Sequence, residues 1–263
     1  MRDQILVTGA SGLLGHLLVR RLREAGRPVR ATSRHPRPAG ADPGLTWARA
    51  DLRAGTGVRE AVAGAGAIVH CATASGRRSE VELARTLVEA ARDAGSPHLL
   101  YVSIVGVDRV PLGYYQGKLA AERLVERSGL PYTILRATQF HDLLRVVLAR
   151  AAAVPVMPVP DLRFQPVDAG EVADRLAELA LGDPAGRAPD LAGPEVRHTR
   201  DLARAYLAAT GRRRPMVPVR LPGRTFRAFR AGGHLAPEHA TGRVTFEEHL
   251  ARFAGLRSYR ETR

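Results

Sequence analysis

Three glycines at three-residue spacing, Gly9, Gly12 and Gly15, fall where a short apolar run gives way to a helical pattern. Ile5-Leu6-Val7 reads as a buried strand. Residues 13–25 read as a helix with Leu14, Leu17, Leu18 and Leu22 on one face, stopped by Gly26 and Pro28. Glycines at such a junction let the backbone turn tightly and approach another group closely. The helix start beyond them offers unpaired N–H groups and the positive end of its dipole. The combination suits phosphates, and it commits the chain to opening on a βαβ unit.

The rest of the first half keeps that alternation. Strands are expected at residues 29–32, around 47–48 (ending near Asp51), 67–71, 99–103 and 132–135. Helices are expected at 58–63, 80–94 and 114–128. Strands alternating with helices of this length predict an α/β fold: a Rossmann-type, doubly wound parallel sheet covered on both faces. After about residue 150 the texture changes. Residues 153–166 are rich in proline and valine, helices recur at 169–181 and 199–210, and residues 191–194 read as a strand end and turn. The expected division is a dinucleotide-binding domain over residues 1–150 and a smaller C-terminal substrate-side region over 151–263, packed on the same core.

Composition narrows the function classes. No run of 18 apolar residues exists, so no membrane span is expected. Apolar residues begin almost at once after Met1-Arg2-Asp3-Gln4, which leaves no room for a signal peptide and points to the cytoplasm. One cysteine, Cys71, excludes an internal disulfide, and its apolar surroundings fit a small buried hydrophobe. The histidines have no metal-ligand spacing, so no metal is expected. The net charge of +14 invites a nucleic-acid reading, but the arginines are scattered and aromatics are only 5%, too few for a stacking surface. No nucleic-acid partner is therefore expected, and a basic surface also attracts a polyanionic cofactor. Of 40 Lys+Arg residues only Lys118 is a lysine, and the chain has no asparagine. Where arginine has replaced lysine everywhere else, the survivor marks a place that requires a compact ammonium.

The second strand ends at Thr32-Ser33-Arg34, and the nearest acid downstream is Asp42. An acid near the strand end would hold a ribose 2′-hydroxyl. Here Ser33 and Arg34 suit a 2′-phosphate instead, which favours NADP(H) over NAD(H).

On these residues the chain resembles the atypical and extended branches of the short-chain dehydrogenase/reductase superfamily, and more narrowly the NmrA-like NAD(P)H-binding proteins. The spacing Thr8-Gly9-x-x-Gly12-x-x-Gly15 belongs to those branches. Asp51-Leu52, His70-Cys71-Ala72-Thr73, Tyr114-Tyr115-Gln116-Gly117-Lys118, Leu135-Arg136-Ala137-Thr138-Gln139-Phe140 and Pro166-Val167-Asp168 stand where that family places its adenine, cofactor-floor, Tyr-x-x-x-Lys, nicotinamide and substrate-region segments. The resemblance implies cofactor contacts from Thr8, Gly9, Ser11, Gly12, Leu13 and Gly15 in the turn. It adds Ser33, Arg34, Asp51 and Leu52 on the adenosine side, and Cys71, Ala72, Thr73, Lys118 and Thr138 on the nicotinamide side.

The candidate catalytic residues are Tyr114, Lys118 and Ser103. Tyr114 and Lys118 are four apart on a helix and so share a face. A neighbouring ammonium favours the phenolate, which suits proton transfer, and in the superfamily the lysine also holds the nicotinamide ribose. Ser103 ends the fifth strand, where its hydroxyl can polarise a carbonyl oxygen. The asparagine that many relatives use in proton relay is absent, so water or another group must serve. The expected activity is NADPH-dependent reduction of a small carbonyl, enone or quinone by hydride transfer, in a monomer or small homo-oligomer. A non-catalytic NADP(H) sensor or assembly factor of the NmrA-like type stands as the alternative.

Overall fold

The computed structural model describes residues 4–37, 42 and 44–261, with side chains described as far as Phe253; Met1 to Asp3 lie outside the described residues. In chain order the elements are β1 (Gln4–Thr8), α1 (Leu13–Glu24), β2 (Val29–Ser33), β3 (Thr46–Arg49), α2 (Val58–Val62), β4 (Ala65–His70), α3 (Arg77–Asp93), β5 (His98–Ile104), α4 (Gly113–Glu126) and β6 (Tyr132–Ala137). They continue with α5 (His141–Ala151), β7 (Met157–Pro160), β8 (Arg163–Phe164), α6 (Ala169–Leu181), β9 (Gly186–Arg187), β10 (Arg197–His198), α7 (Thr199–Ala209), β11 (Met216–Val219), α8 (Arg224–Arg230), a 3-10 turn (Pro237–His239) and α9 (Phe246–Glu261).

The chain divides into two compact units, each built from separate stretches of sequence. The first comprises Met1–Asp108, Leu112–Arg136 and Gly170–Pro189. It carries a seven-stranded parallel sheet in the order β3-β2-β1-β4-β5-β6-β9. The chain enters at β1 in the middle, builds outward to β3, then crosses to β4 and builds the other way. Val7 pairs with Ala31 of β2 on one side and Val69 of β4 on the other. The order thus reverses beside β1, and the carboxyl ends of β1 and β4 flank the crevice where doubly wound sheets bind ligands.

Apolar runs make these strands because both faces of the sheet are covered. Leu6, Ile68, Leu99 and Tyr101 are buried in one cluster with Leu83, Leu87 and Val88 of α3 and Ala121 and Val125 of α4. Gly117 brings α3 and α4 unusually close. A Cβ there would lie 2.9 Å from the Arg77 Cα and 3.3 Å from the Glu80 Cβ. Helix α3 begins three residues earlier than the apolar pattern indicates, which puts Glu80 in its opening turns, on the buried face with Leu83 and Ala84.

The second unit comprises Arg109–Pro111, Ala137–Ala169 and Asp190–Arg263. It pairs β7 with β11 in parallel and β8 with β10 antiparallel. Leu144 and Leu148 of α5, Leu202 and Tyr206 of α7, Met157 of β7, and Phe246 and Leu250 of α9 form its core. Its strands are only two to four residues long. No described helix is long and apolar enough to cross a membrane.

Gly117→Val forces atoms into the α3–α4 contact and is expected to lower stability by about 2 kcal/mol, read from the denaturant midpoint. A second expectation concerns pH. Burial holds the His70 and His234 imidazoles down at about 4, from 6.5. Both stay neutral in the fold while the unfolded chain takes up protons. Stability contributed by the two histidines is therefore lost as pH falls from about 6.5 to about 4, on the order of 2–3 kcal/mol each. The thermal midpoint is expected to fall across that window, and restoring part of it in His70→Gln would confirm the source.

Candidate active site

The phosphate turn is shaped by what it cannot hold. Gly9 has a φ of +65°, and a Cβ there would sit 2.7 Å from the Ala72 amide nitrogen; one at Gly15 would fall on the Gly9 carbonyl oxygen. The turn closes through the Gly12 amide, which donates to the Gly9 carbonyl at 2.9 Å. Helix α1 then starts at Leu13 with no side-chain cap and no acid in its first turn. Ser11, Gly12 and Leu13 are exposed, so the open N–H groups face outward. Thr8, at the end of β1, lies under the turn. Its hydroxyl contacts His70 Nδ1 at 2.8 Å and accepts from the Ala72 amide at 3.3 Å.

At the end of β2 the Ser33 and Ser11 hydroxyls are 3.2 Å apart, and Ser33 Oγ also accepts from the His35 amide. The Arg34 side chain is exposed. Arg49, paired across from Ser33 in β3, donates its Nε to the Arg34 carbonyl at 3.2 Å. A second guanidinium thus belongs to this corner, a neighbour that only strand register reveals. Asp51 spends one carboxylate oxygen on the amides of Arg53 and Ala54, fixing the turn that carries buried Leu52.

The loop after β4 holds Cys71, Ala72 and Thr73, and its anchor is a residue that the sequence motifs do not single out. Glu80 is fully buried. One carboxylate oxygen receives Lys118 Nζ at 2.7 Å and the Tyr101 hydroxyl at 2.9 Å. The other receives the Ala74 amide at 2.8 Å and the Thr73 hydroxyl at 2.9 Å. Four donors fill the acceptor capacity of a carboxylate. Burial pushes the Glu80 carboxyl up, but Lys118 and the donors outweigh it and hold it below the usual range. Burial pushes the neighbouring Tyr101 hydroxyl well up, with Glu80 adding to the effect, and takes the Cys71 thiol up to about 12. The one sequence signal for Glu80 is its place on the apolar face of α3, where an acid needs a partner.

Lys118 is 4% exposed. Besides Glu80 it donates to the Val102 carbonyl at 3.0 Å and lies 4.8 Å above the Tyr101 ring. Glu80, which Lys118 meets, also holds Thr73, so lysine and threonine are joined through the carboxylate. The Tyr114 hydroxyl is 2.9 Å from Thr73 Oγ1. Because Thr73 gives its only hydroxyl proton to Glu80, Tyr114 is the donor in that pair. Ser103, one residue before the end of β5, has its Oγ buried and without a hydrogen-bond partner among the described residues. Tyr115 is buried in α4. Nearby, Arg136 grips Glu122 with two nitrogens at 2.8 and 2.6 Å and reaches Asp108 at 3.0 Å.

The geometry thus gathers Thr8, the glycine turn, Ala72, Thr73, Tyr114, Lys118 and Ser103 in the first unit, around the carboxyl ends of β1, β4 and β5. Thr138 belongs to the second unit. There it is buried, its amide donates to the Leu191 carbonyl at 3.0 Å, and its hydroxyl accepts from the Gly193 amide at 3.3 Å. His141, also in the second unit, is buried with Nε2 2.9 Å from the Val244 carbonyl. Asp142 follows it in the first turn of α5, as a helix-start acid. Among the described residues no group of three or more His, Cys, Asp or Glu side chains is placed to hold a metal.

The open helix start and the Cβ-free cradle fit the phosphates of a dinucleotide. Comparison with known proteins agrees. Residues 9–150 match the NAD(P)H-binding family. The chain is 30% identical over 225 residues to an uncharacterised protein of Mycobacterium tuberculosis, an alignment covering 83% of this chain and 24% of that one. The chain therefore spans about a quarter of that relative's length. It is 29% identical over 137 residues to quinone oxidoreductase 2 of Escherichia coli, covering 50% of this chain and 47% of that one. The fold superposes on an E. coli NADPH-dependent quinone oxidoreductase in complex with NADPH, with a TM-score of 0.82 at 21% identity, covering 95% and 99% of the two chains. Turn, sheet order and family match together place this chain in the NAD(P)H-binding family.

Proposed function

We propose that this chain is an NADPH-dependent reductase of a small carbonyl, enone or quinone-type acceptor. The observation that carries the reading is the Tyr114 hydroxyl, a half-exposed proton donor in the same unit as the phosphate turn and wired through Thr73 to Glu80 and Lys118. The similarity to a quinone oxidoreductase supports the choice of acceptor class.

In this reading the Leu13 N–H and the hydroxyl of Ser11 hold the pyrophosphate, with Thr8, Gly9, Gly12 and Gly15 shaping the turn. Ser33 and Arg34 receive the 2′-phosphate, with Arg49 beside them, and Asp51 and Leu52 border the adenine. Cys71, Ala72 and Thr73 line the cofactor floor on the nicotinamide side, and Lys118 stands behind them, bound to Glu80. When bound, the nicotinamide supplies the hydride. Tyr114 supplies the proton to the acceptor oxygen, Ser103 donates a hydrogen bond to that oxygen as charge develops, and Lys118 acts on Tyr114 through Glu80 and Thr73. The protein works in the cytoplasm as a monomer or small homo-oligomer. A sensor or assembly role is the second reading, favoured by one observation: the Lys118 ammonium is saturated inside the fold, as in a purely structural pair.

The deciding assay follows NADPH oxidation across carbonyls, enones and quinones, with Tyr114→Phe in parallel. Turnover that falls at least a hundredfold in the variant fits the reductase. Tight NADPH binding by both proteins with no turnover fits the sensor. Arg34→Asp is expected to weaken NADPH binding at least tenfold while leaving NADH nearly unchanged; equal effects would remove the 2′-phosphate assignment. Lys118→Arg is expected to lose activity beyond its loss of stability, because a planar fork cannot occupy a site built for three divergent donors. Full turnover in that variant would contradict this.

A further inference from the structure

The donor pattern around Glu80 dictates which way the Tyr114 proton points, and that direction has a chemical consequence. Glu80 carries its negative charge in the fold and holds four donors, one of them the Thr73 hydroxyl. Thr73 has no second hydroxyl proton, so its oxygen accepts from Tyr114. With Tyr114 neutral, the chain reads Tyr114 O–H to Thr73, and Thr73 O–H to Glu80.

We propose that Thr73 is a two-position hydrogen-bond switch, set by Glu80, that stabilises the Tyr114 phenolate left behind when the proton is delivered. The proposal rests on the reductase reading for its use, but not for its chemistry. As Tyr114 gives its proton to the acceptor oxygen, one O–H bond breaks on the tyrosine and one forms on the product. Thr73 then rotates its hydroxyl from Glu80 to the phenolate oxygen, neither gaining nor losing a proton. Glu80 keeps Lys118, Tyr101 and Ala74, so its charge stays compensated. A proton from solvent returns to half-exposed Tyr114 and resets the switch. Glu80 and Lys118 act here as positioning residues: they hold Thr73 in the state from which it can turn.

The test needs neither cofactor nor substrate. At one fixed alkaline pH, the Tyr114 phenolate is read as the ultraviolet absorbance lost on adding Tyr114→Phe to each background. In Thr73→Val the phenolate-to-phenol ratio is expected to fall severalfold, because the phenolate loses its protein donor, whereas the half-exposed phenol can donate to water instead and Glu80 keeps three other donors. Thr73→Ser, which keeps the hydroxyl, should restore it. Glu80→Gln should move the ratio the opposite way. Its amide can donate to Thr73, freeing that hydroxyl for Tyr114, and Lys118 loses its counter-charge. Opposite signs in Thr73→Val and Glu80→Gln would not arise from loosened packing alone. An unchanged ratio in Thr73→Val, the same fall in Thr73→Ser, or a fall in Glu80→Gln would each overturn the switch. Because the titration is done on the protein alone, it can succeed where the turnover assay fails, and the two proposals fall separately.

Discussion

A carboxylate removed wholly from water is tolerated only if its charge is met, and the first unit is organised around meeting one. Glu80 draws its donors from the loop after β4, from β5 and from α4. Removing one partner of such a buried pair typically costs about 3–5 kcal/mol, since the other charge is left without compensation. The consequence is geometric as much as energetic. Thr73, Ala74, Tyr101 and Lys118 are each fixed by the same two oxygens, so a shift in any one disturbs the rest. The close α3–α4 contact at Gly117 is what lets Glu80 and Lys118 meet at 2.7 Å. The loop after β4 is held by this cluster rather than by bonds of its own.

Much of the fold is legible in the sequence because its determinants are local. The glycine turn, the apolar runs of β1 to β6 and the helix stops at Gly26, Gly95 and Gly129 all act within a few residues. They suffice for a doubly wound sheet. That Tyr114 and Lys118 stand four residues apart on one helix is legible for the same reason. What escapes is non-local. Arg49 reaches the Arg34 corner through strand register. The strand Gly186–Arg187 returns to the far edge of the first sheet after an excursion through the second unit. The second unit's strands are too short to leave a periodic signal, and α5 is a helix that the sequence pattern does not announce. Glu80 escapes because it follows Arg77 and Arg78, where an acid near a helix start reads as an ordinary dipole partner.

The compositional oddity finds its physical reason in the same cluster. Elsewhere in the chain a basic position takes arginine. The Lys118 ammonium meets a carboxylate, a backbone carbonyl and the face of a tyrosine ring in three different directions. A compact, rotatable group satisfies that set, and a planar guanidinium does not. The four-residue spacing suggests direct action of the lysine on Tyr114. In the structure the link between the two side chains runs through Glu80 and Thr73.

The dependence of the site on this buried pair is measured most directly by a double-mutant cycle: Glu80→Leu, Lys118→Met and the double variant, each unfolded by denaturant. Each single change is expected to cost about 3–5 kcal/mol, and the double variant to recover at least about 2 kcal/mol of the sum. Costs that simply add would mean that the two charges do not depend on each other, and that something other than Glu80 holds the floor of the site in place.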